Sequence, residues 1–211
     1  MKVGIAGYGV VGKTRHRSIE SNTSYQVTAI SESNEEAQKF IPAGVEVYND
    51  YKSLIASADI DVIFISLPNQ FAAEAACLSL QNGLHVFCEK PPARTHAELL
   101  EVEKQSLKFP ELKLMYGFNH RFHLSVEEAK LLIDSNSLGR LINMKGVYGK
   151  SQMISFNQTD WRTNREASGG GILLDQGIHM LDLMRYLSGE NFTEVFSIID
   201  NAFWNFDVED N

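Results

Sequence analysis

The spacing of apolar and polar positions changes character about 120 residues into the chain. Before that point short, β-branched apolar runs alternate with amphipathic stretches. "KVGIAG" (2–7), "YQVTAISE" (25–32), "VEVYND" (45–50), "DVIFISLP" (61–68), "LHVFCEKPP" (84–92) and "ELKLMYGFN" (111–119) predict strands. Helices are predicted after the first run to about Glu20 and from "SNEEAQKF", and "YKSLIASA" follows the brief third strand candidate. Two more cover the Ala-rich "QFAAEAACLSLQNG" (70–83), stopped by Gly83, and "THAELLEVEKQSLK" (95–108), opened by Thr95 and Glu98 as a capping box. Strands alternating with helices imply βαβ units and an α/β fold with a parallel sheet covered on both faces.

Beyond residue 120 the pattern becomes a helix, "SVEEAKLLIDSNSLG", then long strand-like runs over 140–156 and 194–206. These predict a partial α+β domain with a mostly antiparallel sheet, giving domains at 1–120 and 121–211. A two-stranded sheet is marginal alone and leaves an exposed edge. The expectation is therefore a fragment, or a sheet covered by another copy of the chain.

Between the two long runs lies "GGGILLDQGIHMLDLMRYL" (169–187), a helical pattern whose leucines, isoleucines and methionines cover most of its circumference and call for burial. Asp175, His179, Asp182 and Tyr186 fall within roughly 60° of arc at about 100° per residue, a narrow polar stripe. Asp175 and His179 are four apart, so the acid can fix the imidazole tautomer and leave the other nitrogen for proton transfer. A core histidine satisfied by a neighbouring acid fits the same spacing. A metal site lacks a third ligand, so no metal is expected. The preceding "SGGG" (168–171) lets the chain approach a ligand closely. Asp182 and Tyr186 are expected to anchor the helix.

Composition narrows the partners. The formal charge of −8 disfavours nucleic acid and acidic membrane surfaces. The two cysteines, Cys77 and Cys88, have no metal spacing and read as buried reduced thiols. No signal peptide or membrane span is evident, so a cytoplasmic location is expected.

"GYGVVG" (7–12) is GxGxxG after a predicted strand and before a helix. Gly7 permits the tight turn, Gly9 lets the backbone approach a pyrophosphate, and Gly12 packs the helix against the strand, with Val10 and Val11 between them. The helix N-terminus offers amides to the phosphates. Glu32 ends the second strand, about 20 residues after Gly12. A carboxylate there accepts from ribose hydroxyls and repels a 2′-phosphate, which favours NAD over NADP. Leu67, Pro68 and Asn69 sit at the carboxyl end of a buried strand, where open parallel sheets bind ligands. "CEKPP" (88–92) fixes Lys90 on a stiff turn at the next strand end, beside Glu89 and Pro91. Lys90 reads equally as a group that touches a substrate oxygen and as an ordinary surface lysine.

Together "GYGVVG", Glu32, "LPN", "CEKPP", "GFNHRF" (117–122), "DWR" (160–162) and "SGGGILLDQGIHMLD" resemble the Gfo/Idh/MocA oxidoreductases, relatives of glucose-fructose oxidoreductase and inositol dehydrogenase. The likeness runs from Met1 to Asn211 and implies a Rossmann domain followed by an α+β domain. It implies that Lys90, Asp175 and His179 meet the reacting hydroxyl in a reversible alcohol–ketone oxidation, the base being either His179 or Lys90. It adds Glu89, Lys90 and Pro91 to the cofactor contacts and a Lys–Pro peptide that is often cis. Asn119, Arg121, Trp161 and Arg162 become substrate-side candidates. Phe71 departs from the histidine many members carry after "PN", which bears on cofactor packing. The implied substrate is a sugar or nucleotide-sugar, with a homo-oligomer formed through the second-domain sheet of a full-length protein. A non-catalytic regulator or scaffold of the same fold is the competing reading. Such relatives typically lose the lysine or histidine, and this chain keeps both.

Overall fold

In the computed structural model, residues 1–149 and 160–211 are described. The chain divides into two compact units, Met1–Gly117 and Phe118–Asn211.

The first unit is a six-stranded parallel sheet in the order β3-β2-β1-β4-β5-β6. Its strands are β1 (Lys2–Ala6), β2 (Gln26–Ser31), β3 (Glu46–Tyr48), β4 (Val62–Ile65), β5 (His85–Cys88) and β6 (Leu114–Tyr116). The connecting helices are α1 (Val10–Glu20), α2 (Glu35–Gln38), α3 (Tyr51–Ser57), α4 (Asn69–Gln81) and α5 (His96–Lys108). Successive side chains point to opposite faces, so β1, β2 and β4 each feed two cores. Val3, Ile5, Val27, Ile30 and Val62 pack on one face with Ile19 of α1. Ala6, Ala29, Ile63, Ile65, Val86 and Cys88 pack on the other with Leu54, Ala76 and Leu80 of α3 and α4. The strand order turns back between β1 and β4, and the chain crevice at that switch point is where doubly wound sheets bind ligands.

Local chemistry explains the helix ends. Asp50 and Asn34 cap α3 and α2 with their side-chain oxygens. Gly83, at φ +77°, follows the Asn82 cap of α4. The capping box expected at α5 forms only in part. Thr95 Oγ1 accepts from Glu98 N at 3.2 Å, but the Glu98 carboxylate turns to the Arg94 backbone N–H at 2.8 Å and its guanidinium. Arg94 supplies a charged partner that Thr95 does not. Cys88 is fully buried and Cys77 half-buried; both are free, and burial pushes both thiols up.

In the second unit a 3-10 turn (Asn119–Phe122) leads into α6 (Leu124–Asp134). A 3-10 turn (Trp161–Thr163), α7 (Arg165–Ser168), a π turn (Leu173–Gly177) and α8 (Ile178–Ser188) follow. Among the described residues this unit has no strand. The runs expected to form an antiparallel sheet, 140–149 and 194–206, are irregular, and the rest of the first run, 150–156, lies outside the described residues. A strand needs a ladder partner for its amides. Here the Asp210 carboxylate instead collects the N–H groups of Ala202, Phe203 and Trp204 at 2.6–2.8 Å, which folds the run back on its own neighbours. Those three amides hold the Asp210 carboxyl below its ordinary value, the Trp204 bond foremost. The apolar side chains that predicted burial remain out: Val195, Phe196 and Ile198 are 82%, 91% and 83% exposed.

The helix expected over 169–187 is also different. It starts later, passes through the π turn, and buries few of its apolar residues. Leu173 and Leu181 are exposed, whereas His179 is the buried residue of α8.

Candidate active site

The glycine turn joins β1 to α1. Gly7 has φ +88°, and a Cβ there would lie 2.6 Å from the Ser66 carbonyl oxygen. A Cβ on Gly12 would lie 2.0 Å from the Gly7 carbonyl oxygen. Both positions therefore require glycine. A Cβ on Gly9 would meet nothing within 4 Å. That glycine faces open space that a side chain would fill, as a pyrophosphate cradle requires. Val10 and Val11 beside it are exposed at the start of α1.

Glu32 follows β2 and is fixed from both sides. Its Oε2 accepts from Tyr8 N at 3.0 Å and its Oε1 from Asn34 N at 2.9 Å. Its backbone N–H donates to Tyr48 O at 3.0 Å. An ionised carboxylate has about four acceptor sites, so two backbone bonds hold it while leaving capacity for ribose hydroxyls. Tyr8 is itself pinned, its hydroxyl lying 2.7 Å from Nδ1 of the buried His16.

Asn69 is buried at the start of α4, after Leu67 and Pro68. At the end of β5 the Lys90–Pro91 bond is cis, and Pro91 is among the fully buried side chains. Glu89 is held by Arg15 of α1, which donates through Nε at 2.6 Å and lies 5.0 Å over the Phe87 ring. Arg15 thus ties the helix of the glycine turn to the strand end that carries Lys90. Sequence spacing did not signal it, because the pair is far apart along the chain.

In the second unit Asp175 sits in the π turn rather than on a regular α-helical face. Its Oδ2 accepts from Gln176 Nε2 at 2.7 Å, and its backbone N–H donates to Gly171 O at 2.9 Å. The close approach that Gly171 allows is to the chain at Glu209, whose carbonyl oxygen a Cβ would meet at 1.9 Å. Gly171 N donates to the buried Glu209 carboxylate at 2.7 Å, and Ile172 N to Glu209 O at 3.1 Å. Glu209, which the sequence did not flag, therefore holds the entry to the segment carrying Asp175 and His179.

His179 opens α8 and is 5% exposed. Its ring stacks on His120, with centroids 4.0 Å apart and planes 12° apart. Phe118 meets it edge-on at 6.2 Å. The two remaining stripe residues do anchor the helix. Arg121 forms a two-bond ion pair with Asp182, Nε to Oδ2 at 2.8 Å, and lies 5.1 Å over the Tyr186 ring. Arg162 stacks 4.3 Å over Trp161 and takes its turn from Asp160, whose carboxylate accepts Arg162 N at 2.9 Å. Asn119 is exposed on the 3-10 turn. No group of three or more His, Cys, Asp or Glu among the described residues is placed to hold a metal ion, and no helix among them is long and apolar enough to cross a membrane.

Comparison with known proteins bears on the family and the fold. The family model described as "Oxidoreductase family, NAD-binding Rossmann fold" matches residues 1–116, and that of the GFO/IDH/MocA C-terminal domain matches 126–211. Levoglucosan dehydrogenase of Pseudarthrobacter phenanthrenivorans is 34% identical over 152 residues, covering 72% of this chain and 38% of that protein. D-glucoside 3-dehydrogenase of Escherichia coli is 30% identical over 216 residues, covering 96% and 58%. The structure of scyllo-inositol dehydrogenase from Lactobacillus casei with bound NAD(H) and scyllo-inositol superposes with a TM-score of 0.72 at 25% identity, over 90% of this chain and 56% of that one. The chain spans about half the length of the curated relatives it matches.

Proposed function

Because the chain belongs to the GFO/IDH/MocA oxidoreductase family, we propose that it serves an NAD-dependent oxidation of a secondary alcohol on a sugar or nucleotide-sugar, and the reverse reduction. The observation that carries the reading is the glycine turn with its fixed acid. Gly9 opens onto free space, and Glu32 is held by the amides of Tyr8 and Asn34. Gly7, Gly9, Val10, Val11 and Gly12 would line the pyrophosphate, Glu32 the adenosine ribose, and Leu67, Pro68, Asn69, Glu89, Lys90 and Pro91 the remainder of the dinucleotide. When bound, NAD supplies the acceptor for the hydride that leaves the carbinol carbon.

The residues of this chain handle the proton and the developing charge. His179 accepts the hydroxyl proton at a ring nitrogen as the C–H bond breaks, and returns it in ketone reduction. The Lys90 ammonium donates to the same oxygen and stabilises negative charge as it forms. Asp175 orients the imidazole or meets the sugar. Asn119, Arg121, Trp161 and Arg162 contact substrate, the two arginines already stiffened by Asp182 and Asp160. The polyol and sugar specificities in the relatives' names support a polyhydroxylated substrate. The exposed Val195, Phe196 and Ile198 support association through the second unit.

The test is NADH formation with a panel of sugars and nucleotide-sugars, by wild type, Lys90→Ala and His179→Ala. Loss of turnover in both variants with NADH binding retained is expected; equal turnover in either variant overturns the assignment.

A further inference from the structure

We infer that His120 is a positioning residue that keeps His179 in its neutral, proton-accepting form, an inference that rests on the role proposed above for His179. The two imidazoles are nearly parallel with centroids 4.0 Å apart. At that separation a second positive charge is strongly disfavoured, so the pair holds one proton at a time across the range where histidine titrates. The first proton goes to the ring with better access to water. His120 is half-buried and His179 is buried, so His120 charges first and protonation of His179 is pushed to lower pH. A buried base that stays neutral near pH 7 is what alcohol oxidation requires.

Other rings and charged groups border the pair. Tyr148 lies nearly parallel to both rings, 5.8 Å from His120 and 6.2 Å from His179, and stiffens the stack. His123 meets His120 edge-on at 5.2 Å. Of the charged groups nearby, Arg121 and Asp182 neutralise each other, and Lys130 pairs with Asp134 while lying 5.8 Å from the Tyr186 ring. Asp175, in the π turn, is the acid four residues before His179, and its charge is present in the wild type and in the variants below alike.

The test is a histidine NMR titration of the full 211-residue chain without cofactor or sugar, in wild type and His120→Phe. Phenylalanine preserves a stacking face and carries no proton. His179 is expected to titrate about one pH unit higher in His120→Phe, a tenfold gain in proton affinity. An unchanged or lower His179 midpoint overturns the inference. Should the variant lose its cooperative melt, the wild type decides alone: His120 must protonate at higher pH than His179, and the reverse order overturns the inference. A turnover profile adds a second readout, with the acid limb of kcat/KM moving up by the same unit in His120→Phe. The titration needs no turnover, so a failed dehydrogenase assignment and a failed histidine coupling give different results.

Discussion

The two units immobilise their chemical groups by different means. In the first, the backbone does the holding: Glu32 takes two main-chain amides, and Gly7 and Gly12 bring peptide groups into contact that no side chain permits. In the second, side chains do it: His179 is held by the faces of other rings, and α8 by the Arg121–Asp182 pair. Backbone anchoring depends on conformations that few residues reach, so it is written in glycines at fixed offsets. Ring stacking depends on tertiary approach and leaves no spacing to read.

That contrast is sharpened first by removing the chemistry from each side. Lys90→Ala and His179→Ala are each expected to lower kcat about 10²–10⁴-fold while leaving NADH affinity unchanged in calorimetry. A parallel loss of NADH binding in His179→Ala would erase the division of labour. Next comes packing. Leu80→Ala, at a fully buried site in the first unit, should cost about 2–5 kcal/mol in urea unfolding. Phe196→Ser, at an exposed site in the second, should stay within about 0.5 kcal/mol for the isolated chain.

The glycines separate folding from binding. Gly12→Ala drives a Cβ into backbone and should destabilise by about 1–3 kcal/mol as well as weaken NADH. Gly9→Ala has room for its methyl in the free protein, so its melting temperature should match wild type while NADH binding falls at least about tenfold. An unchanged affinity in Gly9→Ala would remove the cradle.

The smallest effect is acid dependence. Burial pushes the Glu98 carboxyl up, but the bonds from Arg94 outweigh it and hold it below the ordinary glutamate value. A folded value below the unfolded one adds stability above the unfolded pKa, and that stability is lost as pH falls through the folded value. Glu98→Gln should therefore be less stable than wild type at pH 7 by under about 1 kcal/mol. The two should converge in acid below the usual glutamate range. A gap that widens in acid would contradict the sign.

The first unit was legible because its elements are self-sufficient. Each strand from β1 to β6 meets a parallel neighbour within the unit, so the period-2 apolar pattern and the βαβ order settle the architecture. The second unit departs from that pattern at several places. Residues 194–206 have strand-like composition, but composition does not supply a ladder partner, and the Asp210 carboxylate takes the amides of Ala202, Phe203 and Trp204 instead. The stripe of Asp175 and His179 requires one helical phase throughout, and the π turn at Leu173–Gly177 interrupts it. His120 lies inside "NHRF", between Asn119 and Arg121, and only folding places its ring on His179. Arg15 and Glu209 were invisible for the same reason, since their partners Glu89 and Gly171 are remote in sequence.

The central claim is that the first unit holds NAD through the glycine turn with Glu32 as selector. Calorimetric titration of the 211-residue chain with NADH and with NADPH, in wild type and Glu32→Ala, tests it most directly. NADH-selective binding by wild type, with the preference largely lost in Glu32→Ala, is the predicted result. A cooperatively melting wild-type chain that binds neither nucleotide, or that prefers NADPH, would contradict it.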